Sequence, residues 1–245
     1  MKKRPVLILG ARSDIGKATA HAFAASGHPV QLAARNADSL RADRSDIALR
    51  YDVEVTLHKF DALDLSSLTT FVECLPELPQ IAICVVGLLG DQGQYERYPD
   101  TASRMIRSNF EGPACILGVL ANRYEERGEG TLVGISSVAG ERGRATNYFY
   151  GSAKAGFTAF LSGLRNRLTR KGVHVVTVLP GFVATRMTEG MELPAPLTTT
   201  PDWVAKAVLE AVKRKRDVVY VKPVWRYIMA IIRCIPERHF KTQNL

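Results

Sequence analysis

Cysteine is scarce in this sequence, and nothing pairs the four residues present. Cys74, Cys84, Cys115 and Cys234 lie far apart, with no C-x-x-C spacing and no histidine run beside them. That disfavours a disulfide framework, a metal site and a dithiol redox centre, and no metal is expected. The four read as small hydrophobes in a reducing compartment, with Cys84 and Cys115 in apolar segments. Long hydrophobic runs are missing too: no apolar stretch approaches the roughly 20 residues that cross a bilayer. The start Met1-Lys2-Lys3-Arg4, followed by Val6-Leu7-Ile8-Leu9, imitates a secretory signal, but Arg12 and Asp14 interrupt the apolar core and no small-residue cleavage site follows. It reads as a first strand, and a cytoplasmic location is expected. Linkers, repeats and low-complexity tracts are absent, so residues 1–245 are expected to form one domain, with residues 223–245 as a basic amphipathic tail within it.

Acid is the scarcer charge. Asp and Glu number 24 against 33 Lys and Arg, a formal net charge of +9. The excess is spread along the chain and no nucleic-acid reading motif accompanies it, so a nucleic-acid partner is not expected. At 46% hydrophobic and 23% charged, the composition is globular. A chain this long buries roughly 70–75% of the surface its unfolded form exposes, without help from disulfides or metal.

What the chain does contain is a regular alternation. Pro5–Leu9, Val30–Ala34, Val53–His58, Ile81–Val86, Gly130–Ser136, Val173–Leu179 and Val218–Val221 read as strands. Ile15–Ala25, Asn36–Arg50, Asp64–Leu75, Asp100–Arg127, Tyr148–Lys171 and Pro201–Lys215 read as helices, the first with an apolar stripe through Ile15, Ala18, Ala22 and Phe23. Runs as apolar as Ile81–Val86 belong to strands covered on both faces. The order predicts an α/β, Rossmann-like doubly wound fold, a mostly parallel seven-stranded sheet with helices on both faces. Ligands of such sheets bind at the carboxyl ends of the strands, where the strand order reverses.

After the first strand comes Gly10-Ala11-Arg12-Ser13-Asp14-Ile15-Gly16. Glycines at a strand-to-helix turn let the backbone approach a pyrophosphate, which meets the free N–H groups of the helix. Asp14 stands where a middle glycine is usual, and its side chain is expected to cap the helix. An NAD binder places a carboxylate after strand two. Here Ala33-Ala34-Arg35 ends in a cation, with Arg12 nearby, which suits a 2′-phosphate and NADPH. The plain alternative is a solvated loop arginine, with NAD as the other cofactor. In Phe60-Asp61-Ala62-Leu63-Asp64, Asp61 is placed to reach an adenine edge and Asp64 to cap the next helix.

Strand five ends in Ile135-Ser136-Ser137, and Tyr150-Gly151-Ser152-Ala153-Lys154 opens the following helix. At about 100° per residue, Tyr150, Lys154, Phe157, Leu161, Leu164 and Leu168 share a stripe roughly 80° wide, which turns Lys154 inward with the apolar face. A buried lysine needs a partner or a function. A tyrosine hydroxyl titrates near 10, and a neighbouring ammonium moves it toward the range useful for acid–base catalysis. A Ser137 hydroxyl could hold a substrate carbonyl beside it, while a nicotinamide would supply hydride.

Taken together, the Gly10–Gly16 turn, Asn109 in Ser108-Asn109-Phe110, Ser137, Tyr150 and Lys154, and Pro180-Gly181 with Thr185 give the chain its likeness. It resembles a short-chain dehydrogenase/reductase over almost its whole length. The resemblance implies that Tyr150 is the acid/base, that Lys154 lowers its pKa and holds the ribose, and that Ser137 orients the carbonyl. Asn109 would keep a water in a proton relay to Lys154, and Pro180, Gly181, Phe182 and Val183 would line the nicotinamide, with Thr185 on its amide. Gly87 completes the cofactor set. Two departures are Asp14 and the asparagine-free Cys84-Val85-Val86-Gly87. A homodimer or homotetramer is usual for this family, with the Asp100–Arg127 and Tyr148–Lys171 helices as candidate interfaces. Phe60–Asp64, Gly87-Leu88-Leu89-Gly90-Asp91, Ala139-Gly140-Glu141-Arg142 and the tail from Arg226 to Pro236 are further similar to polyprenyl-phosphoryl 2-keto-pentose reductases, which act on a lipid-linked keto-ribose. The competing substrates are 3-oxoacyl or general carbonyl compounds. A catalytically idle nucleotide-binding scaffold is the alternative outside enzymes.

In Pro223–Phe240, Trp225, Ile228, Met229, Ile232 and Ile235 recur at helical spacing, with Arg226 and Arg233 on another face. Such a helix suits the inner membrane surface, where it would meet a lipid-borne substrate, or else it packs on the substrate cleft or a dimer partner. Lys213-Arg214-Lys215-Arg216 reads as a solvated helix end where cations favour the dipole.

Overall fold

The computed structural model describes residues 3–243; Met1 and Lys2 of the signal-like start, and residues 244 and 245 at the end of the tail, lie outside them. The apolar, β-branched runs become strands β1 (Val6–Leu9), β2 (Val30–Ala34), β3 (Val55–Lys59), β4 (Ile81–Cys84), β5 (Gly130–Ile135) and β6 (Val173–Pro180). Two short strands, β7 (Phe182–Val183) and β8 (Thr198–Thr199), pair apart from the sheet, and β9 (Val218–Val221) completes it. All seven sheet strands run parallel in the order β3-β2-β1-β4-β5-β6-β9. Every side chain of β1, β2 and β4 is buried, as a sheet covered on both faces demands.

The connecting helices are α1 (Asp14–Ala25), α2 (Arg41–Tyr51), α3 (Leu68–Glu73), α4 (Gln92–Arg97), α5 (Pro99–Ile106), α6 (Gly112–Arg127), α7 (Tyr148–Leu168), α8 (Pro201–Lys213), α9 (Val224–Cys234) and α10 (Glu237–Phe240). Alternate residues of β1 point to opposite faces and enter separate cores. Val6 and Ile8 pack with Phe23 of α1 and Val204 of α8, whereas Leu7 and Leu9 pack with Ile116 of α6 and Phe157 of α7.

The strand order reverses between β1 and β4, and the chain opens there. Gly10 leaves β1 at φ +88°, and a β-carbon on it would lie 3.1 Å from the Val85 carbonyl carbon and the Val86 nitrogen. The turn therefore needs glycine. Val85 and Val86, expected to extend strand four, instead leave the sheet and form one wall of this crevice.

Several local expectations are corrected. The buried face of α1 is Gly16, Thr19, Ala20, Phe23 and Ala24. Ile15, Ala18 and Ala22 are only half-buried, because the small residues let α1 lie close on the Gly10 turn and α8. Ser13, not Asp14, caps α1, its Oγ accepting from Gly16 N at 3.0 Å. Asp64 makes no capping bond and instead accepts from the Ser66 hydroxyl at 2.7 Å. Cys84 is buried as expected, but Cys115 sits on the exposed side of α6, together with exposed Cys74 and Cys234. The stretch expected as one helix over Asp100–Arg127 follows α5 with a π-helical segment, Arg107–Glu111, before α6 begins.

The tail breaks at Pro236 into α9 and α10. Its apolar stripe turns inward: Trp225 and Met229 are buried against Val138 and Leu179, with Ile228, Ile232 and Phe182 beside them. Polar bonds lock this packing. Arg142 donates to Glu237 Oε2 at 2.6 Å and stands over the Phe240 ring, while Glu141 accepts from Tyr220 OH at 2.7 Å with Arg233 at 3.6 Å. Packing beside the cleft is thus the role the stripe takes, and it leaves Val224, Tyr227 and Ile231 exposed on the outer edge of α9. No described helix is long and apolar enough to cross a membrane.

Candidate active site

Two hydroxyls fix the first turns of α7 against the end of β5. Ser136 Oγ donates to the Lys154 carbonyl at 3.0 Å and lies 2.7 Å from Thr158 Oγ1. Lys154 is 4% exposed, as its phase on the apolar stripe predicts, and Phe157, Leu161, Leu164 and Leu168 are buried along the same line. Its Nζ donates to the Ile135 carbonyl at 3.0 Å and lies 5.8 Å from the centre of the Tyr150 ring. Ser137 Oγ accepts from Ala139 N at 3.1 Å and stands beside the phenol.

The electrostatics differ from the expectation. Desolvation drives both groups toward their neutral forms, pulling Lys154 down to about 8 and pushing Tyr150 up to about 12; the Ser137 hydroxyl pulls the phenol the other way. In the chain alone the lysine therefore does not lower the phenol. Its amine is spent on a carbonyl, and burial outweighs its field. Cys84 nearby is held as an inert thiol, pushed up to about 11 by burial.

Asn109 occupies the π-helical segment, fully buried. Its amide donates to Leu88 O at 2.7 Å and Met105 O at 2.9 Å and accepts from Leu88 N at 3.1 Å. Both amide hydrogens are thus spent on backbone, and the side chain clamps the segment after β4. Gly87 lies between this clamp and the lysine: a β-carbon there would sit 3.0 Å from Asn109 Oδ1 and 3.5 Å from Lys154 Nζ.

The cleft runs along the carboxyl ends of the strands in two lobes of about 360 and 370 Å³, which share Ser13, Val85, Val86 and Gly87. The first gathers Ser137, Tyr150 and Lys154 with Asp14, Ile15, Pro180, Gly181, Val183 and Thr185. The second gathers Gly10, Arg12, Arg35 and Asp61, along with Arg104 and Ser108, which sequence reasoning missed. Asp61 uses one oxygen to accept from Leu63 N at 3.0 Å. Gly16 supports the turn from behind, since a β-carbon on it would meet Gly10 O at 2.6 Å.

These residues fit an extended dinucleotide. The amino end of α1 faces the shared waist, and the bare Gly10 turn lets a phosphate approach. Around the second lobe, the Arg12, Arg35 and Arg104 side chains form no hydrogen bond or ion pair among the described residues. Three unneutralised guanidiniums suit a phosphate beyond the pyrophosphate. Asp14 is engaged elsewhere. Its carboxylate accepts from Arg186 N and Nε, both at 2.8 Å, while Arg186 Nη2 donates to Arg12 O at 2.7 Å. The turn is thereby clasped to the loop after β7. Nothing local in the sequence pointed to Arg186, Arg144 or Asn147 as cleft residues, because each sits in a polar stretch without periodicity, and Arg104 reads as the solvated face of α5.

A family model described as short chain dehydrogenase matches residues 4–194. An uncharacterized oxidoreductase of Mycobacterium tuberculosis is 40% identical over 235 residues, covering 95% of this chain and 94% of that protein. One from Streptomyces coelicolor is 36% identical over 242 residues, covering 97% and 95%. Among solved structures, a short-chain dehydrogenase from Sphingobium yanoikuyae in complex with NADPH matches with a TM-score of 0.83 at 25% identity, covering 96% of this chain and 97% of that one. A bulky-bulky ketone specific alcohol dehydrogenase from Comamonas testosteroni shares the fold, with a TM-score of 0.79 at 24% identity and coverage of 98% and 97%. These relatives carry the family and not the narrower likeness to keto-pentose reductases. The chain belongs to the short-chain dehydrogenase family and is an oxidoreductase.

Proposed function

We propose that this oxidoreductase uses NADPH to reduce a ketone to a secondary alcohol. The observation that carries the reading is the buried Lys154 amine beneath the Tyr150 ring, with the Ser137 hydroxyl at the phenol, in one lobe of a cleft whose other lobe holds three unpaired arginines. When bound, the nicotinamide dinucleotide supplies hydride to the carbonyl carbon. Ser137 Oγ donates a hydrogen bond to the carbonyl oxygen and fixes its direction. Tyr150 transfers its phenolic proton to that oxygen as negative charge develops there, and regains a proton from solvent. Protonated Lys154 stabilises the phenolate left behind. Asn109 positions the segment after β4, and Arg12, Arg35 and Arg104 favour the 2′-phosphate that separates NADPH from NADH.

The finer reading is a lipid-linked keto-sugar of the polyprenyl-phosphoryl keto-pentose class. Its support is the motif likeness together with the apolar wall of Leu89, Val138, Met187, Met191 and Trp225 around the first lobe. The same reading includes contact between an anionic membrane and the exposed edge Val224, Tyr227 and Ile231. A 3-oxoacyl substrate is the second reading. It is supported by a 31% identical relative from Streptomyces virginiae described as a putative ketoacyl reductase of a monensin polyketide synthase.

Oxidation of NADPH and NADH should be followed with a panel of ketones. We expect NADPH to give the higher kcat/KM and Tyr150→Phe to lower kcat about 10²- to 10⁴-fold, with cofactor binding retained. Full activity in Tyr150→Phe would refute the mechanism; NADPH binding without reduction of any ketone would favour the idle scaffold.

A further inference from the structure

The loop between the 3₁₀ turn Val138–Gly140 and α7 carries three charged side chains, and they part company. Glu141 is taken by Tyr220 and Arg233, and Arg142 by Glu237, the Ile235 carbonyl and the Phe240 ring, so both are spent on the tail. Arg144 turns the other way and lines the first lobe with Val138, Ala139, Asn147, Tyr150 and Trp225. Its side chain is half-buried, and among the described residues it makes no hydrogen bond or ion pair. Desolvation holds its guanidinium below the usual arginine range, with no carboxylate acting against it. The acid in that lobe's lining, Asp14, is neutralised by Arg186. Beside Arg144, the buried Asn147 Oδ1 accepts no hydrogen bond.

A cation withdrawn from water without a counter-charge is costly, as is an orphaned buried acceptor. Both deficits are met by one kind of ligand, an oxyanion for the planar fork of Arg144 and a hydroxyl for Asn147. We propose that Arg144 is a specificity-determining residue that binds an oxyanion, phosphate or carboxylate, carried by the ketone substrate, while Asn147 Oδ1 accepts from a hydroxyl of the same molecule. This rests on the reductase reading of the cleft. It adds the residues, Arg144 and Asn147, by which the substrate lobe selects a hydroxylated ketone with an anionic group close to the reacting carbonyl.

The probes are hydroxyacetone, hydroxyacetone phosphate and levulinate, assayed with NADPH on wild type, Arg144→Gln and Arg144→Lys. We expect wild type to prefer the phosphate ketone to hydroxyacetone. Arg144→Gln should shrink that preference about 10- to 100-fold, through KM more than kcat, and Arg144→Lys should restore part of it. Levulinate following hydroxyacetone phosphate assigns a general oxyanion site; levulinate following hydroxyacetone assigns a phosphate site. A preference unchanged in Arg144→Gln overturns the proposal. Calorimetric binding of the alcohol propane-1,2-diol 1-phosphate to the NADP⁺-saturated protein needs no turnover. If no ketone is reduced but this binding is lost in Arg144→Gln, the reductase reading falls and the anion site stands. Ketone reduction with binding indifferent to residue 144 means the reverse.

Discussion

Lys154 holds a charge that its surroundings resist. Its pKa falls from 10.5 in the unfolded chain to about 8 in the folded one, so between those values the unfolded chain binds more protons. Stability of the ligand-free protein should therefore rise as pH climbs from about 8 toward 10.5, by an amount on the order of 3 kcal/mol. Melting of wild type against Lys154→Met across this window checks the sign, because the variant lacks that component. Catalysis should show the opposite trend: ketone reduction falls as pH rises through about 8, where the amine loses the charge that steadies the phenolate. At this scale the sequence was informative wherever a residue's phase along a helix decided its burial. Tyr150, Lys154 and Ser137 do meet in one lobe. The direction of the tyrosine's pKa was not legible, because it depends on how much solvent the fold excludes and on where the amine spends its hydrogens. Asp14 likewise looks local in the sequence, and its partner is Arg186.

Among the elements, the tail shows how a fold can constrain a residue far away. A β-carbon on Gly181 would lie 2.0 Å from the Trp225 ring, whose Nε1 donates to Leu197 O at 3.3 Å. Gly181→Ala should push α9 off Val138 and Leu179, at about 1–3 kcal/mol for an overpacked site. Thermal melts of Gly181→Ala, and of Gly181→Ala with Trp225→Leu, test this. The second change should recover most of the loss, and equal loss in both variants would contradict the packing. The glycine after strand six was expected to serve the nicotinamide, and the contact with Trp225 gives it a structural role as well. The order of strands and helices was legible because buried parallel strands have near-continuous apolar sequences. The π-helical segment at Asn109 and the short α4 were not, since neither alters the apolar period enough to be seen.

For the whole molecule, the charge balance and the exposed edge of α9 act together. In the proposed membrane contact, the net charge of +9 would favour an anionic surface, each basic residue near it contributing about 1 kcal/mol. Co-sedimentation with phosphatidylserine vesicles should weaken on raising salt and on replacing Tyr227 and Ile231 with Ser. Sedimentation indifferent to both would remove the membrane contact from the reading. The doubly wound architecture was legible as a whole because its rules are global: parallel strands, long crossovers, ligands at the reversal of strand order. Contacts that join distant segments were not, for no local pattern encodes them.

The pairing of Asp14 with Arg186 lies in the lining of the first lobe, one residue from Ser13, which both lobes share. The arginine side chain is 64% exposed, and an ion pair so well hydrated is worth at most about 1 kcal/mol. Yet the ion pair is one of three bonds there, one donated by the Arg186 backbone and one received by the Arg12 carbonyl, so freeing the turn would require the loop after β7 to shift and not the arginine side chain alone.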